Sequence, residues 1–313
     1  MKRYIYIVIL LFVTYLVPSQ NKNIEITYER KSDNSITFYY SKNLPGSYSV
    51  KLEFTRLENS YSKTTHYKVI KYKSGNLLTI KPANKDKGIS FSYKFSYLIG
   101  DPNPKVNASI EYSLPFIKNK EINILEASNL GETYFGNRKP IDWKSFIVYS
   151  NTSDTICSMR KGKVVNIIND YVNNPSQEKV FTSKRNKITI EHDDGTYAIY
   201  TGFDKQQIFI KLGQVIYPQT RLGKLEKFNK NMYRLDFSIF HYFKNALENN
   251  KKETLTDRKY NVKYLDPKFI TNLGVVQIES GKDYKTTFET SILLQELTRK
   301  EKKKLKKNPK FYH

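Results

Sequence analysis

Apolar and polar positions alternate with a period of two along most of this chain, the spacing of half-buried β-strands. The clearest run is Ile89 to Tyr97, where Ile89, Phe91, Tyr93, Phe95 and Tyr97 alternate with Ser90, Ser92, Lys94 and Ser96. Val50, Leu52 and Phe54 repeat the pattern, and Ile36, Phe38 and Tyr40 follow it less cleanly. Turn formers separate the runs at Asp33-Asn34, Pro45-Gly46, Ser74-Gly75-Asn76 and Lys87-Gly88. From Ile24 to about Tyr112 the spacing predicts about seven short strands and no long helix, hence an immunoglobulin-like β-sandwich over residues 21–115. No Cys…Trp…Cys signature accompanies it, so the reading concerns architecture alone.

Pro102 and Pro104, then Leu114-Pro115, mark a boundary, and Ile117 to Trp143 has weak periodicity, as a segment wrapping across a junction would. Strand signals return between Thr155 and Phe243 in KVVNII, NKITIEH, TYAIY, QQIFIKLG and YRLDFSIFH, punctuated by Gly195, Gly213, Pro218 and Gly223. Pro267 to Tyr284 reads as one more hairpin, turning at Gly274 and Gly281, so a second β domain is expected over residues 116–285. From Thr286 the chain favours helix. Thr286 and Glu289 have capping-box spacing, and Leu293, Leu294 and Leu297 form a short apolar face. The block RKEKKKLKK follows, the kind of like-charge run that ends as a solvated, frayed tail. Residues 286–313 are therefore expected to be a short basic helical tail, with a surface-binding helix as the alternative.

The N-terminus changes the expected compartment. Lys2 and Arg3 precede an apolar stretch from Tyr4 to Val17, which Pro18, Ser19 and Gln20 close. This is the pattern of a signal peptide over residues 1–20, and it is short for a membrane span, which needs about 20 apolar residues. A retained N-terminal anchor is the alternative. The expectation is an exported protein, periplasmic, outer-surface or secreted, with no transmembrane span in the mature chain. The one cysteine, Cys157, excludes an internal disulfide and a cysteine-based zinc cluster. Its apolar-flanked setting, TICSM, predicts a buried small hydrophobe. Lys and Arg number 53 against 30 Asp and Glu, a formal charge of +23. Such a field attracts polyanions, from nucleic acid to lipid phosphates to the carboxylates of peptidoglycan stem peptides. Lys, Asn, Ile and Tyr are abundant throughout, as an AT-rich genome would produce, so the charge permits an anionic partner without identifying one. Export argues against nucleic acid.

The segment NKITIEHDDGTYAIYTGF, followed by IFIKLGQVIYPQTRLGKLE and later RLDFSIF, resembles the lysostaphin/LytM-type zinc metallopeptidases of peptidoglycan. Their fold is the duplicated hybrid motif. The matching elements are the strand Ile188 to His192, the Asp194-Gly195 turn, the strand Thr196 to Phe203, the Lys211 to Gln214 turn and the Leu222-Gly223 step. CSMRKGKVVNI resembles the family's preceding strand, and the likeness spans roughly residues 138 to 243. EYSLPF (Glu111 to Phe116) and PKFITNLGVVQIESGKDY are similar to segments of multi-domain members from Bacteroidetes. The resemblance implies a mainly β protein, a sandwich followed by a peptidase-like β domain.

It also implies which positions to check. The family holds zinc with a His and an Asp of its first motif and one His of a His-x-His motif, and two further His act on the attacking water. Here the Asp position falls on Ile147 and the first His near Arg138 or Trp143, and no histidine lies between His66 and His192. The central His position falls on Gly202, and His-x-His reads Arg234-Leu235-Asp236. Zinc needs about three nitrogen, thiolate or carboxylate donors from protein. Arg stays protonated, and Ile147 and Gly202 offer nothing. The implied zinc site is lost, no catalytic residue or cofactor is expected, and Arg234, Asp236 and Tyr200 are the candidates for binding a ligand. Arg234, at the floor of the emptied groove, would meet a substrate carboxylate.

Other clusters are weaker. His192-Asp193-Asp194 reads as a hairpin end, His241 as a packed or surface histidine among aromatics, and His66 and His313 join no site. No phosphate-binding glycine loop, nucleophile elbow or Cys-x-x-Cys occurs. The expected function is that of a non-catalytic envelope protein that binds peptidoglycan or regulates a cell-wall hydrolase. The alternatives are an active metalloendopeptidase with an unrecognised site, and a structural scaffold whose basic tail touches an anionic envelope surface.

Overall fold

The computed structural model describes residues 23–127, 143–172, 182, 184–229, 232–243 and 262–308. The expected signal peptide, Arg138 and His313 lie outside the described residues. The fold is mainly β. Six strands build a first core: β1 (Ile24–Arg30), β2 (Ile36–Lys42), β3 (Tyr48–Glu58), β4 (Thr65–Ile70), β5 (Ser74–Ile80) and β6 (Ser90–Ile99). They form two three-stranded antiparallel sheets, ordered β1-β2-β5 and β4-β3-β6. The alternation turns Phe38, Val50, Leu52 and Phe54 into one core. There Phe38 meets Phe54, Phe91 and Tyr93 edge-on, with ring centroids 5.5, 5.4 and 5.3 Å away. Such pairs add about 0.5–1.5 kcal/mol each beyond area burial.

The seventh strand expected in the sandwich serves the other core. Pro102 and Pro104 lack the N–H that would continue a ladder, and the chain leaves the sandwich there. β7 (Glu111–Ser113) then pairs in parallel with β18 (Lys268–Thr271), and Tyr112, Leu114 and Phe116 join the second core.

That core is built on β8 (Glu121–Glu126), β9 (Phe146–Ser150), β11 (Gly162–Ile168), β12 (Asn186–Glu191), β13 (Thr196–Ile208) and β16 (Tyr233–Tyr242). With β14 (Val215–Ile216) and β20 (Lys282–Lys285) the main sheet runs β14-β11-β12-β13-β16-β9-β8-β20. β10 (Thr155–Cys157) pairs with β15 (Arg221–Leu225), and β17 (Val262–Tyr264) pairs with β16. The hairpin expected at Gly274 joins β18 to β19 (Gly274–Val276), and the strand after Gly281 is β20, paired with β8. Leu235, Phe237 and Ile239 alternate into the core against Ala198, Tyr200, Ile188 and Ile190. Burying a side chain of this size contributes about 1.5–3 kcal/mol. Cys157 is buried, and burial pushes its thiol up to about 12.

The C-terminal segment differs from expectation in its start. Thr286 caps no helix. Its hydroxyl donates to the Ile117 carbonyl at 2.5 Å and accepts from the Lys120 N–H at 2.9 Å, stapling β20 to the turn before β8. α1 (Thr290–Leu294) begins behind Glu289 with no side-chain cap. The capping box forms instead at Thr298 and Glu301, opening α2 (Arg299–Lys307). Nor does the basic run fray. Glu301 takes Lys161 Nζ at 3.0 Å and the Tyr217 hydroxyl at 2.8 Å, and Leu305 and Tyr217 pack against Leu293 and Leu297. No helix among the described residues is long and apolar enough to cross a membrane.

One carboxylate joins the two cores. Gly46 turns with φ +84°, a left-handed conformation that costs glycine nothing, and brings the Ser47 N–H onto Glu191 Oε2 at 2.8 Å. A Cβ on Gly46 would collide with Glu191 and Val165, so the approach also needs the missing side chain. Glu191→Ala should leave the Ser47 N–H unpaired at a cost of about 1–3 kcal/mol. We expect the sandwich to melt separately from the second domain in that variant, with faster proteolysis near Asp101, whereas Glu191→Gln keeps an acceptor and a single transition. A single unchanged transition in the alanine variant would place the joint elsewhere.

Candidate functional site

Strand parity brings Ile147, Gly202, Arg234 and Asp236 together. On β16, Leu235 and Phe237 face the core, so Arg234 and Asp236 share the opposite face. Register then sets Asp236 beside Ile147 of β9 and Thr201 of β13, with Arg234 beside Tyr149. Gly202 follows Thr201 at a bulge: across from it the β12 register shifts between Asn186 and Lys187, and its φ is +124°. Ile147, Gly202, Arg234 and Asp236 therefore lie on three adjacent strands, although Ile147 and Asp236 are far apart in sequence.

A residue that the sequence reading did not single out completes the cluster. Arg185 precedes β12, where Asn186 fixes the chain by donating to the Phe203 and Tyr171 carbonyls at 2.9 and 2.8 Å. The Arg185 guanidinium pairs through Nη1 with Asp236 Oδ2, and Nη2 donates to the Arg234 carbonyl. Arg234 holds the other oxygen of the same carboxylate through Nε, at 3.1 Å, and Nη2. Phe228 lies over both guanidiniums, 5.0 Å from Arg185 Cζ and 4.9 Å from Arg234 Cζ, and Tyr149 lies 5.7 Å from Arg234. Cation–π contacts of this kind contribute about 0.5–2 kcal/mol. Both arginines are buried, with side chains 7% and 4% exposed, and Asp236 is 20% exposed.

Gly202 is what makes room. A Cβ there would run into the Arg234 carbonyl and Arg185 Nη2. The arginine pair and the glycine are thus a single steric solution. Chemically the cluster is a clamp: one carboxylate gripped by two forks, a geometry suited to tying strands together. It does not fit zinc. Guanidinium cannot ligate, Ile147 and Gly202 have no donor, and both oxygens of Asp236 are engaged. Among the described residues no group of three His, Cys, Asp or Glu side chains gathers into a metal-binding set.

The other candidates go elsewhere. Tyr200 has the parity of the core face and is fully buried, its hydroxyl accepting the Met159 N–H at 2.9 Å, so it lines no groove. Trp143 packs on Tyr264 at 4.7 Å. His66 bonds Ser62 and the Lys63 carbonyl, and His241 the Tyr242 carbonyl. The His192–Asp194 hairpin end is more than a turn. Arg160, buried between β10 and β11, grips Glu296 at 2.9 and 2.7 Å and donates to Asp194, Tyr112 and Thr196 at 3.0, 2.8 and 3.1 Å. Asp194 also accepts the Asn107 N–H at 3.1 Å. Burial and then the Arg160 charge push His192 down to about 3, while its Nδ1 pairs with the Lys161 carbonyl at 2.8 Å. Burial opposes ionisation of Glu301, but bonds from Thr298, Tyr217 and Lys161 outweigh it and bring that carboxyl down to about 2.

No protein-family model matches the chain, and no curated protein matches it. Among solved structures it is similar to the M23 metalloprotease pseudoalterin from the deep sea, at 12% identity over 58% of this chain and 98% of that one, with a TM-score of 0.29. An M23 peptidase from Pseudomonas aeruginosa is 9% identical over 61% of this chain and 82% of its own, at a TM-score of 0.28. A zinc-containing peptidase from Vibrio cholerae is 13% identical over 66% and 74%, at 0.23. Likeness at such scores is weak, and the site stands on its own residues.

Gly202→Ala should destabilise the chain by about 2–4 kcal/mol, combining overpacking with a positive φ. The readout is the denaturation midpoint, and a wild-type midpoint would mean that the guanidinium has room to yield. A second expectation concerns pH. Between pH 6.5 and 3 the unfolded chain binds a proton at His192 that the folded chain does not, so stability falls as pH drops through that window. The Glu301 contribution, full above its ordinary 4.5, is lost as pH falls from there to about 2. In His192→Asn, which keeps an N–H for the Lys161 carbonyl, stability should change less between pH 6.5 and 4.5. An unaltered slope there would mean that other groups take up the proton.

Proposed function

We propose that this chain is an exported, non-catalytic, peptidase-like protein of the cell envelope that binds peptidoglycan or a cell-wall hydrolase instead of cutting peptide bonds. The observation that carries this reading is the Arg185–Asp236–Arg234 clamp, standing where the sequence resemblance would put metal ligands. Hydrolysis in that family depends on an acidified, metal-held water, and a carboxylate closed by two guanidiniums holds neither metal nor water in that way. What the clamp does support is a fixed surface: Arg185 ties β16 to β13 through Asp236 and the Arg234 and Thr201 carbonyls. Beside it Tyr149 is 37% exposed and the Asp236 side chain 20%. A charge of +23 favours the carboxylate-rich stem peptides of peptidoglycan as ligand.

The deciding experiment pairs elemental analysis of the purified mature protein with a zymogram on peptidoglycan and co-sedimentation with sacculi. We expect no stoichiometric zinc, no clearing, and retention on sacculi that weakens with salt. Stoichiometric zinc with chelator-sensitive clearing would restore the enzyme reading. Absence of retention, with a hydrolase recovered as partner, would move the reading from wall binding to regulation.

A further inference from the structure

Two features of the second domain lie away from the clamp and meet at one residue, Tyr217. The first is α2. Every position of this helix except Glu301 and Leu305 is lysine or arginine, and all of these cations are exposed. Like charges three and four residues apart repel one another, so the sequence alone would not hold this helix. It is held by the Thr298–Glu301 capping box, by Lys161 and the Tyr217 hydroxyl on the Glu301 carboxylate, and by Leu305. Its one acid is thereby turned inward, and the outward face is purely cationic on a fixed element.

The second feature is an open groove of about 860 Å³ that Tyr217 borders. Ile117, Phe209 and Val215 on its walls are 45, 48 and 46% exposed, and Leu212 in the adjoining turn is 54% exposed. Three polar side chains of the lining make local hydrogen bonds. Gln214 Oε1 accepts the Lys211 N–H at 2.9 Å, Gln219 Nε2 donates to the Phe116 carbonyl at 3.3 Å, and Thr220 Oγ1 accepts the Tyr217 N–H at 3.0 Å. Lys118 and Arg221 also line the groove, with no ion-pair partner among the described residues, and no Asp or Glu does. The groove is thus mixed, with more polar than apolar surface, and Phe209, Val215 and Ile117 stand exposed on its walls beside Lys118 and Arg221.

We infer that this face docks on an anionic lipid surface, the α2 cations meeting headgroup phosphates while Phe209, Leu212 and Val215 enter the acyl boundary. The pairing of features selects this partner. Nucleic acid or an anionic glycan would answer the cations and leave the aliphatic patch in water, and an acyl chain alone would leave the cations unanswered. Interfacial binding scales with buried apolar area plus electrostatic attraction to anionic lipid, and both contributions are present in adjoining elements. The inference is independent of the emptied site.

The test is co-sedimentation of the purified mature protein with phosphatidylcholine vesicles, with and without phosphatidylglycerol, at low and high salt. Binding should need phosphatidylglycerol and fall with salt. Reversing Lys302, Lys303, Lys306 and Lys307 to Glu should weaken it at least about tenfold. Phe209→Ser with Val215→Ser should abolish the part that survives high salt. All six side chains are exposed or half-buried, and an unchanged thermal transition confirms folding. Equal binding to both vesicle types, or undiminished binding by the charge-reversed variant, overturns the proposal. So does retention on single-stranded DNA or sacculi in the absence of vesicle binding.

Discussion

The second core is organised around one guanidinium that cannot be neutralised. Arg160 is 2% exposed, and arginine keeps its charge in any protein environment, so the fold has to supply its partners. They come from widely separated places: Tyr112 at the exit from the sandwich, Asp194 and Thr196 at a hairpin end, and Glu296 in the turn between the two helices. Taking away any charged partner leaves a buried cation short of its complement, at a cost of about 3–5 kcal/mol. Junction, hairpin and C-terminal helices must therefore be in place together. Burial, and after it the same charge, keeps His192 beside it neutral, where the ring packs edge-on against Tyr112.

The Arg185–Asp236–Arg234 cluster repeats this solution. A metal ion would draw its ligands together from several strands through directional bonds. A guanidinium with five donors in a plane can bridge the same span, provided that space exists for its fork. Gly202 supplies the space, and Asp236 and the Arg234 carbonyl supply the acceptors. Each half of the arrangement makes sense only with the other. Gly202 without Arg185 would leave a void, and Arg185 without Gly202 would not fit.

Much of this was legible in the chain, and the exceptions have physical reasons. Period-two alternation located β3, β6, β12, β13 and β16, because a half-buried strand writes its pleat into the sequence. The resemblance drew attention to Ile147, Gly202, Arg234 and Asp236, and register places Ile147 and Thr201, the residue before Gly202, opposite Asp236. Arg185 was not legible. It stands outside the strand pattern, and its partners lie far along the chain, so no local spacing connects them. Tyr200 could have been placed by parity alone, since it alternates with Ala198 into the core. The capping box was assigned to Thr286 and Glu289 when Thr298 and Glu301 have the same spacing. Sequence spacing cannot say which of two equivalent boxes will be drawn into sheet contacts, and Thr286 was.

The placement of acids gives the charge of the chain its meaning. A surplus of lysine spread along a sequence is uninformative, because composition does not say which charges cancel. In the folded protein Glu191, Asp194, Asp236, Glu296 and Glu301 all turn inward, each committed to a backbone N–H, a guanidinium or an ammonium. Arg160, Lys161, Arg185 and Arg234 are buried with these acids, so cations leave the surface together with them and the exterior keeps the surplus of 53 against 30. What the pairing changes is the local distribution of charge, most of all where the fastener sits inside a basic run. Glu301 docks α2 by its own charge, and in doing so leaves the outer face of that helix with nothing but lysine and arginine.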